Sequence, residues 1–148
     1  MRKSRRERNE SGATAIEFVV LTPILFLLMF GSVQIGLALF ARHVAVSAAQ
    51  EGARKARETA VSKSVDWQTV APQAASDWVV QLLGSMVQGT PTANPLDPVP
   101  LGNPHPEVGV SVQFDVASVI PFWTFTVSSQ SVGPVECFYE PNGHCNGY

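Results

Sequence analysis

The sequence predicts an α+β protein with a long N-terminal helix that spans a membrane in its first half. A short helix and a small antiparallel sheet or hairpin follow. An uncharged apolar run has the length of a membrane span, a three-to-four-residue apolar repeat continues beyond it, and a two-residue alternation appears near the C-terminus. The chain has 148 residues, 45% of them hydrophobic and only 15% charged, which indicates one domain with extensive apolar surface in a core or in lipid.

Charge is distributed unevenly along the chain. All ten Lys and Arg residues lie at or before Lys63, and five of them precede the apolar run. From Ser64 to Tyr148 the seven residues that are charged at neutral pH are all acidic, which argues against nucleic acid or anionic lipid as a partner of this part. Because basic residues tend to stay on the cytoplasmic side of a span, we expect a cytoplasmic N-terminus and an exported C-terminal part.

The apolar run extends from Phe18 to Ala41 and contains no ionised side chain over 24 residues. At ~1.5 Å of rise per residue, such a helix exceeds the ~30 Å hydrocarbon core of a bilayer, so the run predicts one transmembrane helix. A cleaved secretory signal stays an alternative because small residues follow at positions 45–49, although such signals have a shorter apolar core. Gly31 and Gly36 are candidates for close approach of another membrane helix.

The helical pattern continues beyond the span without a breaker. Alanines recur at three- or four-residue spacing between Ala45 and Ala60, with charged residues on the opposite side. We therefore predict one helix from about Ala13 to about Ala60, within a transmembrane and stalk segment of residues 13–62. The small residues of this stripe pack either within the chain or against another helix, and the sequence leaves both open. The helix-packing candidates in this stripe are Ala49, Gly52 and Ala53.

Residues 63–148 are predicted to form an α+β domain outside the membrane. A helical pattern runs from about Asp66 to Leu83, with Pro72 expected in the first turn of the helix proper. Both tryptophans of this helix are expected in the core. The predicted apolar face consists of Trp67, Ala71, Ala74, Trp78 and Leu82.

The remainder of this domain is predicted to contain a loop and two strands. Residues 89–106 hold six of the eleven prolines, which predicts a proline-rich loop or stiff linker. Apolar and small or polar residues alternate from Val108 to Val116, and a second strand is predicted from Trp123 to Ser131. These two segments predict an antiparallel pair laid against the helices.

Two cysteines, Cys137 and Cys145, bracket a segment that contains the turn signal Pro-Asn-Gly. Outside the cytoplasm such a pair usually forms a disulfide, and we predict one. Free thiols remain an alternative to the disulfide. A metal site that includes His144 lacks a convincing fourth ligand. We therefore expect no bound metal and no cofactor.

A short motif lies between the basic leader of residues 1–12 and the apolar run. It reads SGATAIEF and ends at Phe18. The motif resembles the cleavage site of type IV prepilins, which are cut on the cytoplasmic side after a glycine and keep a glutamate as the fifth residue of the mature chain. Cleavage after Gly12 would make Ala13 the first residue and Glu17 the fifth. Phe18 matches the aromatic residue that follows this glutamate in Tad, or Flp, pilins.

The spacing of this motif also has a physical interpretation that does not depend on the family. After cleavage Ala13 would carry an α-ammonium group, and Glu17 lies four residues on, on the same helix face. A charged side chain in an apolar helix costs ~2.5–3.5 kcal/mol at the bilayer centre, which favours a partner of opposite charge. In assembled pilins the corresponding glutamate is thought to neutralise the terminal amine of a neighbouring subunit, and the resemblance implies this role for Glu17.

A second motif narrows the resemblance. Residues 48–54 read AAQEGAR, which is similar to the AAxEGAR stretch that follows the apolar span of TadE-like proteins. The resemblance covers Gly12 to Arg57 and implies a minor pilin or pseudopilin that supports assembly of a Tad-type adhesive pilus. It implies a prepilin peptidase, other pilins or pseudopilins and the inner-membrane assembly platform as partners. The implied location is the bacterial inner membrane, with incorporation into the filament left open.

The sequence contains no nucleophile elbow, phosphate loop or zinc signature, and it has only three histidines. We therefore expect no catalytic residues and no enzymatic activity. The alternative to the pilus interpretation is a secreted or signal-anchored binding domain unrelated to pili.

Overall fold

A computed structural model gives the fold, in which the chain divides into two compact units, Met1–Gly36 and Leu37–Tyr148. The described part of the first unit is helical, and the second unit combines helices with antiparallel strands, so the predicted α+β class is confirmed. The structure describes residues 7–61, 65–103, 105–119, 124–135, 138–139 and 145–146, without the side chains of 7–13, 138–139 and 145–146.

Helix α1 runs from Glu7 to Ala60 and contributes residues to both units. The predicted end at Ala60 is confirmed, whereas the helix begins six residues before the predicted Ala13. Three of the six leader residues in between, Glu7, Arg8 and Glu10, are good helix formers, and the glycine among the others costs only ~1 kcal/mol relative to alanine. Pro23 lies inside α1 without ending it, a position that membrane helices tolerate.

Helix α2 comprises Trp67–Leu83, followed by a 3₁₀ turn at Gly84–Met86. The carboxylate Oδ1 of Asp66 accepts a hydrogen bond from the backbone N–H of Gln68 at 3.1 Å and thereby caps the helix. The expectation that the helix proper begins at Pro72 is wrong, because this cap starts the helix more than a turn earlier. Pro72 lies inside α2, where it removes only one backbone hydrogen bond near the N-terminus.

The buried face of α2 also differs from the predicted one. Trp67 is buried as expected, but Trp78 is 36% exposed, so the expectation that both tryptophans lie in the core is wrong. Apart from Pro72, the buried residues follow a single i,i+4 row, whereas the predicted face crossed to the adjacent row halfway along the helix. Helical periodicity permits either step, and only packing selects one. The buried row consists of Trp67, Ala71, Ala75, Val79 and Leu83.

The strands form one three-stranded sheet and one two-stranded sheet. Strands β2 and β3 pair antiparallel from Ala117 and Thr124 at one end to Glu107 and Pro134 at the other, which confirms the predicted strand pair. The order of the larger sheet is β1-β2-β3. The strands are β1 Val87–Val99, β2 Glu107–Ala117, β3 Thr124–Pro134, β4 Phe138–Tyr139 and β5 Cys145–Asn146.

Strand β1 contradicts the predicted loop at residues 89–106. Its residues up to Val99 pair with β2 although positions 91, 95 and 98 are prolines. β1 lies at an edge of the sheet, where a proline without an N–H group is tolerated if that position faces away from the partner strand. Register shifts between Gln88 and Thr92 and between Leu96 and Val99 accommodate the other irregularities.

The core of the second unit is built from the alanine side of α1, the buried row of α2 and the inner valines of β2. The alanines of α1 from Ala41 to Ala56 are completely buried. Because their side chains are small, neighbouring backbones can approach α1 closely. Gly52 lies between Ala75 of α2 and Val110 of β2. Most buried side chains larger than alanine come from the other elements. The completely buried valines among them are Val79, Val108, Val110, Val112 and Val116.

Candidate processing and membrane segment

The residues of the processing motif lie on α1, at the start of its apolar part. Positions 13 and 17 are separated by four residues on a continuous helix, which places them on the same face. The Glu17 side chain is exposed, and Phe18 beside it is 72% exposed. The side chain of Ala13 lies outside the described residues. The arrangement therefore presents a carboxylate one helical turn after the bond between Gly12 and Ala13.

The apolar run of α1 is exposed around its whole circumference. Seven consecutive residues from Ile24 to Phe30, almost two helical turns, are all exposed. Between Ile16 and Ile35 the large apolar side chains classed as exposed are 45–72% accessible, and only 6% of the most apolar 18-residue window of α1 is buried. A helix in the core of a soluble protein is mostly buried. By length and composition α1 can cross a bilayer and fits a single-pass membrane anchor.

The five small residues singled out as helix-packing candidates fall into two groups. Gly31 and Gly36 lie in the first unit, and a Cβ atom at either position would meet no atom within 4 Å. Both leave a flat place on the apolar helix that another helix can approach. By contrast, Ala49, Gly52 and Ala53 are buried within the second unit, so their small size serves packing inside the chain.

A charge cluster lies on the exposed side of α1 beyond the apolar run. The Arg54 guanidinium donates to both carboxylate oxygens of Glu51, at 2.9 Å from Nε and 2.5 Å from Nη2. It also pairs with Glu58, which in turn lies 3.5 Å from the Lys55 Nζ. The hydrogen bond from Arg54 lowers the pKa of Glu51 below its ordinary value. The cluster keeps this part of the helix solvated opposite its buried alanines.

The predicted disulfide concerns two residues near the C-terminus. The side chains of Cys137 and Cys145 lie outside the described residues, so the disulfide stays a prediction. The backbones of Tyr139 and Cys145 are antiparallel partners, and the turn signal between them lies outside the described residues. Within the described ranges no three His, Cys, Asp or Glu side chains gather as a metal site would require.

Sequence reasoning missed a second apolar row on α2. Every fourth residue from position 70 to position 82 is apolar, and this row lies beside the buried one. Its C-terminal members are exposed instead of buried. The four-residue spacing is visible in the sequence, but the predicted face combined residues of this row and of the buried row. The members of this row are Val70, Ala74, Trp78 and Leu82.

The family model described as TadE-like protein matches residues 12–54. The match begins at the glycine of the processing motif and ends with the arginine of AAQEGAR, so it confirms the resemblance over this segment. It associates the chain with Tad pilus systems and their assembly components. No match was found among curated proteins or among solved structures.

Proposed function

We propose that this chain, whose residues 12–54 carry the TadE-like segment, is a minor pilin or pseudopilin that supports assembly of a Tad-type pilus. The observation that carries the proposal is the exposed carboxylate of Glu17, one turn after Ala13, at the start of an exposed apolar helix. The proposed location is the bacterial inner membrane, with residues 1–12 in the cytoplasm and the second unit outside. We assign the chain a structural role and no catalytic one.

In this proposal a prepilin peptidase hydrolyses the peptide bond between Gly12 and Ala13. Water adds across the bond, which leaves a carboxylate on Gly12 and an α-ammonium group on Ala13. The bond lies within α1, so the helix must unwind locally to present it to the peptidase. Glycine at position 12 eases this step because it destabilises a helix by ~1 kcal/mol relative to alanine.

Glu17 would then supply the countercharge for the new terminus, within one chain or between neighbours. Two unit charges ~4 Å apart attract each other by ~4 kcal/mol at an effective dielectric constant of ~20. This attraction is comparable with the ~2.5–3.5 kcal/mol that a charged residue costs at the bilayer centre. The pairing therefore offsets most of the cost of holding Glu17 at the end of an apolar helix. Its exposure leaves it open to a neighbouring subunit.

The mature N-terminus tests the proposal directly. The full chain is purified from membranes of cells with and without a prepilin peptidase, and its N-terminus is determined by intact mass and N-terminal sequencing. We expect a start at Ala13 with the peptidase and retention of Met1 without it. A start near Ala48 in both strains would instead support a secreted binding domain, and Met1 in both would indicate a plain membrane anchor. Either result overturns the proposal.

A charge substitution tests the role of the carboxylate. Glu17→Gln is expected to impair maturation or to reduce the number of pili on cells that depend on this chain. Glu10→Gln is the matched control, because it makes the same change within the leader that is removed. If Glu17→Gln leaves both the mature N-terminus and the pilus count unchanged, the countercharge role is wrong.

A further inference from the structure

Helix α2 carries an apolar row that its own unit does not cover. The row consists of Val70, Ala74, Trp78 and Leu82, and it ends with α2 at Leu83. Trp78 and Leu82 are exposed by 36% and 45%, and the first two members are half-buried. Single exposed apolar residues are ordinary, but four at consecutive i,i+4 positions form a continuous ridge.

The ridge has the anatomy of a protein interface. On one side it borders the buried row of α2, and on the other side it borders a fully exposed polar row, in which the Gln73 Nε2 donates to Asp77 Oδ1 at 3.2 Å. An apolar centre with a polar rim is the arrangement of protein–protein interfaces, where tryptophan is enriched. Tryptophan is also prominent among the residues that dominate binding energy. The polar row consists of Thr69, Gln73, Asp77 and Gln81.

The charge of the part of the second unit that carries α2 selects the kind of partner. From Ser64 onward the chain has no Lys or Arg, whereas the basic residues of this unit all lie between positions 42 and 63. Asp77 lies in the rim of the ridge itself. Docking of a second copy through this face would bring acidic surfaces together, and an anionic membrane surface would be repelled for the same reason. A partner with basic residues beside its apolar stripe would instead be attracted.

We infer that the apolar row of α2 docks an amphipathic helix of another protein, whose apolar stripe is flanked by Lys or Arg. From Val70 to Leu82 the row extends roughly 18 Å at ~1.5 Å per residue, which matches about three turns of a partner helix. Trp78 and Leu82 anchor the partner, and Asp77 faces its basic flank. The inference goes beyond the proposed pilin role, because it does not depend on cleavage after Gly12.

Site-specific photocrosslinking in native membranes tests the inference on the full chain. The probe p-benzoylphenylalanine is placed at Leu82, on the row, or at Gln81, on the polar row beside it. We expect a discrete adduct with another protein from position 82 and little or none from position 81. The crosslinked partner segment should show i,i+4 apolar residues flanked by Lys or Arg, and the adduct should weaken as salt screens the charges.

Substitutions on and off the row complete the test. With the probe at Leu82, Trp78→Ala should reduce the adduct on the order of tenfold or more, as loss of a central tryptophan does in other interfaces. Val80→Ser is the matched control, because Val80 is an exposed apolar residue of the same helix on a different row. Its adduct yield should equal that of the parent chain. Unchanged tryptophan fluorescence of Val80→Ser would show that this control is folded.

Several outcomes would overturn the inference. They are an adduct of twice the mass of the chain, lipid adducts alone, equal adducts from positions 81 and 82, a partner segment with acidic flanks, and no adduct at either position. The mature N-terminus is measured in the same samples. A start at Ala13 without the position-82 adduct would reject this docking surface and leave the proposed function intact.

Discussion

Gly52 of α1 faces Ala75 of α2 so closely that a Cβ atom at position 52 would lie 2.9 Å from the Ala75 Cβ. The same atom would lie 3.0 Å from the Cβ of Val110 in β2. The two helices and the sheet of the second unit therefore meet at a point where only a hydrogen atom fits. The glycine of the AAQEGAR motif is required by this packing within the chain.

Gly52→Ala is expected to destabilise the second unit by roughly 1–2 kcal/mol. Alanine gains up to ~1 kcal/mol in helix propensity, but overpacking a core costs ~1–3 kcal/mol, and the obstructing atoms are Cβ groups that move only with their backbones. Denaturant unfolding of the full chain in neutral detergent, followed by tryptophan fluorescence, measures the change.

Gly36→Ala is the control for Gly52→Ala, because a Cβ at position 36 meets nothing within 4 Å. This variant should keep the stability of the second unit unchanged. The double variant Gly52→Ala with Ala75→Gly should recover part of the loss, since it restores the space. Equal stability of Gly52→Ala and the parent chain would show that the close approach does not limit packing.

Two neighbouring valines of α2 should respond differently to the same truncation. Val79 is completely buried, and Val79→Ala is expected to cost about 2 kcal/mol through lost burial and a residual cavity. Val80 is 50% exposed, and Val80→Ala should change stability by less than ~0.5 kcal/mol. Thermal unfolding of the two variants measures the difference. The reverse order would mean that the helix face with Val80 is buried and the face with Val79 is exposed.

Two glycines of the sheet are also expected to differ. A Cβ at Gly109 would abut the Ser131 carbonyl oxygen and lie 2.8 Å from the Val132 Cα, which are backbone atoms of the paired strand β3. Gly109→Ala should therefore approach the upper end of the ~1–3 kcal/mol cost of overpacking.

Gly133→Ala serves as the comparison for Gly109→Ala. The three atoms nearest to a Cβ at Gly133 would all belong to the Arg57 side chain, whose Cδ would lie 3.3 Å away and which can rotate aside. This variant should lose well under half as much stability in the same denaturant titration. Comparable losses in the two variants would show that Arg57 is held rigidly against β3.

The ion pair between Glu51 and Arg54 should make stability depend on pH. Because the pKa of Glu51 is lowered in the folded chain, the pair stabilises the fold above the ordinary value of 4.5, and this contribution is lost as pH falls through the lowered pKa. The stability difference between the parent chain and Glu51→Gln should thus be present at neutral pH and vanish in acid. It should be small and shrink with salt, since the pair is largely exposed. A difference independent of pH would contradict this assignment.

The strand content of the second unit illustrates why part of the fold escaped prediction. Alternation of apolar and polar residues sufficed for β2, whose inner face is buried by the helices. β1 has no such alternation and contains three prolines, and it forms a strand because it lies at the edge of the sheet, paired with β2 on one side. Whether a strand lies at the edge is a property of the assembled sheet, so a local sequence pattern does not predict it.

Local sequence patterns suffice to identify the membrane-length apolar run, the motif from Gly12 to Phe18, the helical continuation to Ala60 and the absence of Lys and Arg after Lys63. These are local properties, because length, charge and spacing act within one segment. The packing of the elements against one another determines which row of α2 is buried and leaves Trp78 exposed to solvent. It also places Ala75 and Val110 in the space beside Gly52. Each of these depends on how two elements pack together, which helical periodicity alone leaves open.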